Sequence, residues 1–130
     1  MLHKKKYILS LHQIKHINIM TRDFIKTLDT LVEREFVVSE TLQLLKLDFF
    51  KYASWGVQNW SNFEDKGLLM NVNGHHYKSY VFIILAYNDT YTVHLVNNRG
   101  RVTETFNEVY FDELTDVIDN RIERISAYAR

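Results

Sequence analysis

The chain contains no cysteine and no proline, and only four of its 130 residues are glycine. Without cysteine there is no disulfide framework, no thiolate metal site and no cysteine nucleophile. That composition suits a reducing compartment, so a cytoplasmic location is the expectation. Without proline there is neither a stiff linker nor a proline-rich recognition segment. The few glycines leave little backbone to cradle a phosphate, because Gly56, Gly74 and Gly100 fall at predicted turns or a helix end and Gly67 opens a strand. No Gly-rich phosphate loop, nucleophile elbow, zinc-type ligand spacing or calcium loop occurs, so no catalytic residue, cofactor or metal is assigned. Long apolar runs are also missing. The stretch nearest in outline to a secretion signal, Tyr7-Ile8-Leu9-Ser10-Leu11 behind Lys4 to Lys6, is broken by His12, Gln13, Lys15 and His16 and lacks a small-residue cleavage site. Neither a signal peptide nor a membrane span follows from it.

What remains is a globular composition, 46% apolar, 14% aromatic and 25% charged. The length suits one domain able to bury roughly two thirds of its unfolded surface. A net charge of zero hides an asymmetry. Lys4, Lys5, Lys6 and Lys15 face no acid in the first 20 residues, whereas the remainder carries 12 basic against 16 acidic side chains. The body of the domain is therefore mildly acidic and not a natural binder of phosphate backbones. Residues 1–19 form a basic tail, either an exposed, disordered arm or a stretch upstream of a start at Met20. Residues 20–130 form a single α+β domain. His12 and His16 stand one helical turn apart, but no third ligand is near.

From Thr21 onward Phe24, Ile25, Leu28, Leu31, Val32 and Phe36 recur every three or four residues, which predicts an amphipathic helix. Ser39 can cap a second helix with Leu42, Leu45, Phe49 and Tyr52 on one stripe and its end near Gly56; one kinked helix is the alternative. Beyond Gly67, β-branched and aromatic residues alternate with turn signals. They predict a four-stranded antiparallel meander of residues 67–73, 77–87, 90–96 and 101–106, with Asn73-Gly74 as a hairpin turn. A last helix over Val109 to Ile125 should pack on the sheet, with Asp112, Glu113, Asp116, Asp119 and Glu123 on its outer face. Tyr80 to Leu85 is apolar on both faces, so both faces of the sheet need cover. The Trp55 to Phe63 segment, the N-terminal helices or a second copy of the chain, as a homodimer, can supply it.

His75 and His76 near the predicted hairpin, His94 on a neighbouring strand and Asp89 are the residues that could form a metal or acid-base site. Adjacent strand residues point to opposite faces and the two turns lie at opposite ends of the sheet, which argues against convergence. The densest aromatic stretch runs from Phe49 to Phe63. Most of it suits a core, yet Tyr and Trp are also frequent anchors of partner surfaces, which makes Tyr52, Trp55, Trp60 and Phe63 the candidate interface. Stacking of single-stranded nucleic acid on Tyr80 or Phe82 would have only Lys78, Arg99 and Arg101 as nearby cations.

Ser54-Trp55-Gly56, Gly67-Leu68, Val72-Asn73-Gly74, Tyr91-Thr92-Val93 and the run from Val109-Tyr110-Phe111-Asp112 to Ile118-Asp119 resemble a group of small proteins carried on phages and mobile elements of gut bacteria. The resemblance spans roughly residues 40 to 124. It implies a mobile-element setting and a shared fold, and it carries over no catalytic or binding residues. The expectation is a non-enzymatic protein-interaction module with an unidentified protein partner and no membrane contact. One alternative is a nucleic-acid-associated protein using the basic arm or a sheet face. A second is a small enzyme or metal-binding protein using the histidines.

Overall fold

The computed structural model describes residues 22–124, so the basic tail, His12, His16 and Met20 lie outside the described residues. Among the described residues three helices, α1 (Arg22–Leu31), α2 (Val38–Lys46) and α3 (Phe49–Ser54), precede five strands. These are β1 (Asn59–Phe63), β2 (Gly67–Asn71), β3 (Tyr80–Leu85), β4 (Tyr91–Val96) and β5 (Val102–Val109), and α4 (Leu114–Ile122) follows. The strands form one antiparallel sheet in the order β1-β2-β3-β4-β5. None of the described helices is long and apolar enough to cross a membrane.

The α+β class, the antiparallel meander and the C-terminal helix on the sheet agree with expectation; the number of strands does not. The fifth strand is β1, which lies within the segment expected to lie across a sheet face. It pairs with β2 from Asn59 opposite Asn71 to Phe63 opposite Gly67. The connecting turn lacks glycine, yet Glu64 and Asp65 both take left-handed backbone, at φ 54° and 59°. Side-chain hydrogen bonding holds them there. Asn62 Oδ1 accepts from the Asp65 amide at 2.8 Å and its Nδ2 donates to Asp65 Oδ1 at 2.9 Å. Short polar side chains can hold such turns through local bonds of this kind. Gly67 meets a different demand, because a Cβ there would lie 2.4 Å from the Phe82 ring.

The helical segments also divide differently. The expected second helix is two helices broken at Leu47-Asp48, where Asp48 caps α3 by accepting from the Lys51 amide. Phe36 is not helical, since α1 stops at Leu31; its ring packs edge-on against Tyr91 with centroids 6.3 Å apart. Asn73-Gly74 is no tight hairpin either. The β2–β3 connection is longer and folds back on the end of α4, where the His76 amide donates to the Ile122 carbonyl at 2.8 Å and Glu123 accepts from the His75 amide at 2.7 Å. The first of these bonds satisfies a backbone carbonyl that a helix end leaves open.

Both faces of the sheet are covered. On the first, Val38, Leu42 and Leu45 of α2, Trp55, and Leu114, Ile118 and Ile122 of α4 pack on Leu68, Met70, Val81, Ile83, Val93 and Leu95. On the second, Phe24 and Leu28 of α1 pack on Leu69, Tyr80, Phe82, Ile84 and Val96. Alternate residues of β3 thus enter two separate cores, which is why that strand is apolar throughout. The segment from Val32 to Val37 carries the chain from one face to the other across the end of the sheet. It binds the turns there: the Phe36 amide donates to the Asp65 carbonyl, Glu33 Oε1 accepts from the Tyr87 amide, and Arg34 pairs with Asp89.

Candidate functional site

The four residues expected at an interface do not share a surface. Trp55 is fully buried on the first face, and its Nε1 donates to Asp119 Oδ1 at 3.1 Å. That corrects its assignment, since the indole is a core group. It also moves Asp119 from the expected outer face of α4 to the interior, where it is 2% exposed. Phe63 packs against Phe82 on the second face, with ring centroids 5.8 Å apart. Tyr52 is half-buried between Trp55 and Lys46. Trp60 stands on the edge strand β1 and is 41% exposed. Tyr80 and Phe82 are buried beneath α1, so neither ring is open to a stacking base.

The exposed apolar surface lies at the start of the same aromatic stretch. Leu47, Phe49 and Phe50 are 81%, 67% and 84% exposed. Local structure forces them outward. The break between α2 and α3 places Leu47 at the corner, and the Asp48 cap sets a short helix from which Tyr52, and Trp55 just past its end, turn inward. Phe49 and Phe50 remain outside and contact each other edge-on, with centroids 5.7 Å apart. Lys51 fixes α3 to α4 through Asp116. Tyr110 and Phe111, in the connection leading into α4, are 56% and 69% exposed.

The histidines do not converge. His75 and His76 sit at the end of α4, with their rings 4.6 Å apart, and His76 Nε2 is bonded to the Arg124 carbonyl. Asp89 lies in the β3–β4 turn, engaged by Arg34. His94 is buried on the second face, with Nδ1 2.9 Å from Thr105 Oγ1. Burial pushes its pKa down, and the Glu33 carboxylate opposes that only in part. No group of three His, Asp or Glu side chains among the described residues could hold a metal ion.

One concavity went unnoticed in the sequence. At the end of the sheet crossed by Val32 to Val37, a groove of about 420 Å³ is lined by Thr90 and Thr92 of the β4 region and by Asn107 and Glu108 of β5. Glu33 and the β3–β4 turn complete it. Its shape depends on a bulge: the ladder slips between Tyr91 and Val93, so Asn107 and Glu108 together oppose Thr92. Glu108 takes φ 55° there. No glycine marks that bulge, so the strand expected over residues 101–106 stops short of it; Val109, expected to open the last helix, is instead the final residue of β5, and α4 begins at Leu114. The chain matches no protein-family model, no curated protein and no solved structure.

Proposed function

We propose that the chain is a non-enzymatic protein-interaction module whose docking surface is the α2–α3 corner. One observation carries this reading: three large apolar side chains, Leu47, Phe49 and Phe50, each lie at least two-thirds exposed within four residues. Scattered exposed apolar residues are ordinary, but a contiguous group with two aromatic rings marks the type of patch that partner proteins bury. The corner is well anchored, by the Asp48 cap on one side and the Lys51–Asp116 ion pair on the other, so docking requires little ordering of the surface. The setting we propose is a phage or mobile element, supported by the resemblance over residues 40 to 124. The reading includes a cytoplasmic location, supported by the lack of cysteine.

The double variant Phe49→Ser/Phe50→Ser tests the surface. Both side chains lie outside the core, so stability should change by no more than about 1 kcal/mol. Quantitative capture from host lysate, together with sedimentation of the purified protein, should show loss of a wild-type partner or of self-association. Identical partners and identical sedimentation for the two proteins would sink the assignment.

A further inference from the structure

We propose that the groove at the turn end of the sheet binds a small organic amine, with the ammonium group held by Glu33 and Glu108 and hydrogen-bonded to Thr92. The inference starts from Thr92. Its side chain lines the groove, the residue is 5% exposed, and its hydroxyl has no hydrogen-bond partner among the described residues. Buried hydroxyls are almost always paired, because leaving one unsatisfied costs about 1–3 kcal/mol in general. Its neighbour Thr90 shows the usual condition, with its hydroxyl donating to Asn88 Oδ1 at 2.6 Å. A ligand donor or acceptor in the groove would complete Thr92.

Charge selects the ligand. Two carboxylates line the groove and no basic side chain does. The nearest cation in sequence, Arg34, is engaged by Asp89. Glu33 spends Oε1 on the Tyr87 amide, which leaves Oε2 for a ligand. Carboxamide groups from Asn88 and Asn107 add polar contacts, while Ala86 and Tyr87 offer apolar surface for a short carbon chain. The volume lies in the range of small-molecule sites, and the polar lining calls for a polar, cationic occupant. An ammonium group with three donors matches two carboxylates and a hydroxyl.

The bulge gives the site its form. With a regular ladder, one residue of β5 would oppose Thr92; the extra residue brings both Asn107 and Glu108 to the groove. A non-glycine residue at positive φ is sparsely populated backbone, and such positions gather at binding sites.

The experiment is an NMR titration of the full chain with 1,4-diaminobutane, with sodium butyrate and calcium chloride as parallel probes. Saturable shifts at the amides of Thr92, Asn107 and Glu108 are expected with the diamine, and none with butyrate. Thr92→Val should weaken the diamine at least tenfold while raising the melting temperature, because it removes an unpaired hydroxyl without changing shape. Glu108→Gln, at an exposed position, should also weaken binding at least tenfold. No saturable response below about 10 mM diamine, a response to calcium alone, or wild-type affinity in either variant would each overturn the proposal.

Discussion

Trp55 shows how far a single residue can be read from its own neighbourhood. Its position in an aromatic stretch fits either a core or an interface, and what decides between them is Asp119, a carboxylate 64 positions away that takes the indole N–H. That pairing is a tertiary fact with no local signature, which is why Trp55 reads as a surface anchor and Asp119 as an outer-face acid in sequence. The bond makes a prediction: Trp55→Phe leaves a buried carboxylate short of a donor and a void beside it, and should cost about 2–4 kcal/mol in urea denaturation. His94 makes another. Burial lowers its pKa below the ordinary 6.5, so the unfolded chain binds its proton first as the pH falls. The stability present above pH 6.5 is therefore lost as the pH drops from there through the lower folded value. His94→Gln should flatten this part of the pH dependence between about pH 7 and pH 5, measured as the urea midpoint. An unchanged slope would mean that His94 does not report the folding equilibrium.

At the scale of elements, periodicity and turn chemistry served well where the backbone follows them. The apolar stripe of α4 and the β-branched runs of β3 and β4 are visible directly, since each repeats with the period of its own geometry. Two features escaped for a shared reason. The β1–β2 turn and the β5 bulge both put acidic residues, Glu64, Asp65 and Glu108, into left-handed backbone where glycine is the usual signal. The local side-chain bonds of Asn62 replace that signal at the turn. The break between α2 and α3 was hidden as well, because Leu47 and Phe49 continue the apolar composition across it. Gly67 ties β1 to the rest. Gly67→Ala would drive a methyl group into the Phe82 ring, which lies 2.4 Å from the Cβ position. We expect a loss of about 1–3 kcal/mol, and faster hydrogen exchange at the β1 and β2 amides. Exchange unchanged from wild type would show that Phe82 moves aside at no cost.

The whole molecule is organised by β3, whose residues alternate between two cores. The need to cover both faces is legible from Tyr80 to Leu85 alone; the identity of the cover is not, since α1, a bulky segment or another subunit would all meet it. Here α1 covers the second face, with Phe24 fully buried and Leu28 1% exposed. Because Leu69, Phe82, Ile84 and Val96 share strands with Leu68, Val81, Ile83 and Val93 of the opposite core, neither core can lose its sheet while the other keeps it. Stability should therefore belong to the molecule as a unit. Leu28→Ala, which damages only the second face, should cost about 2–5 kcal/mol. In a Trp60→Phe background, which leaves Trp55 as the one tryptophan, it should shift the unfolding of Trp55 fluorescence, a reporter on the first face, together with that of far-ultraviolet circular dichroism. The same coincidence is expected for Leu42→Ala on the first face. If the Trp55 signal kept its wild-type midpoint in Leu28→Ala while the dichroism moved, α1 would be an independently melting cover. The second face would then be open at equilibrium to a partner in its place.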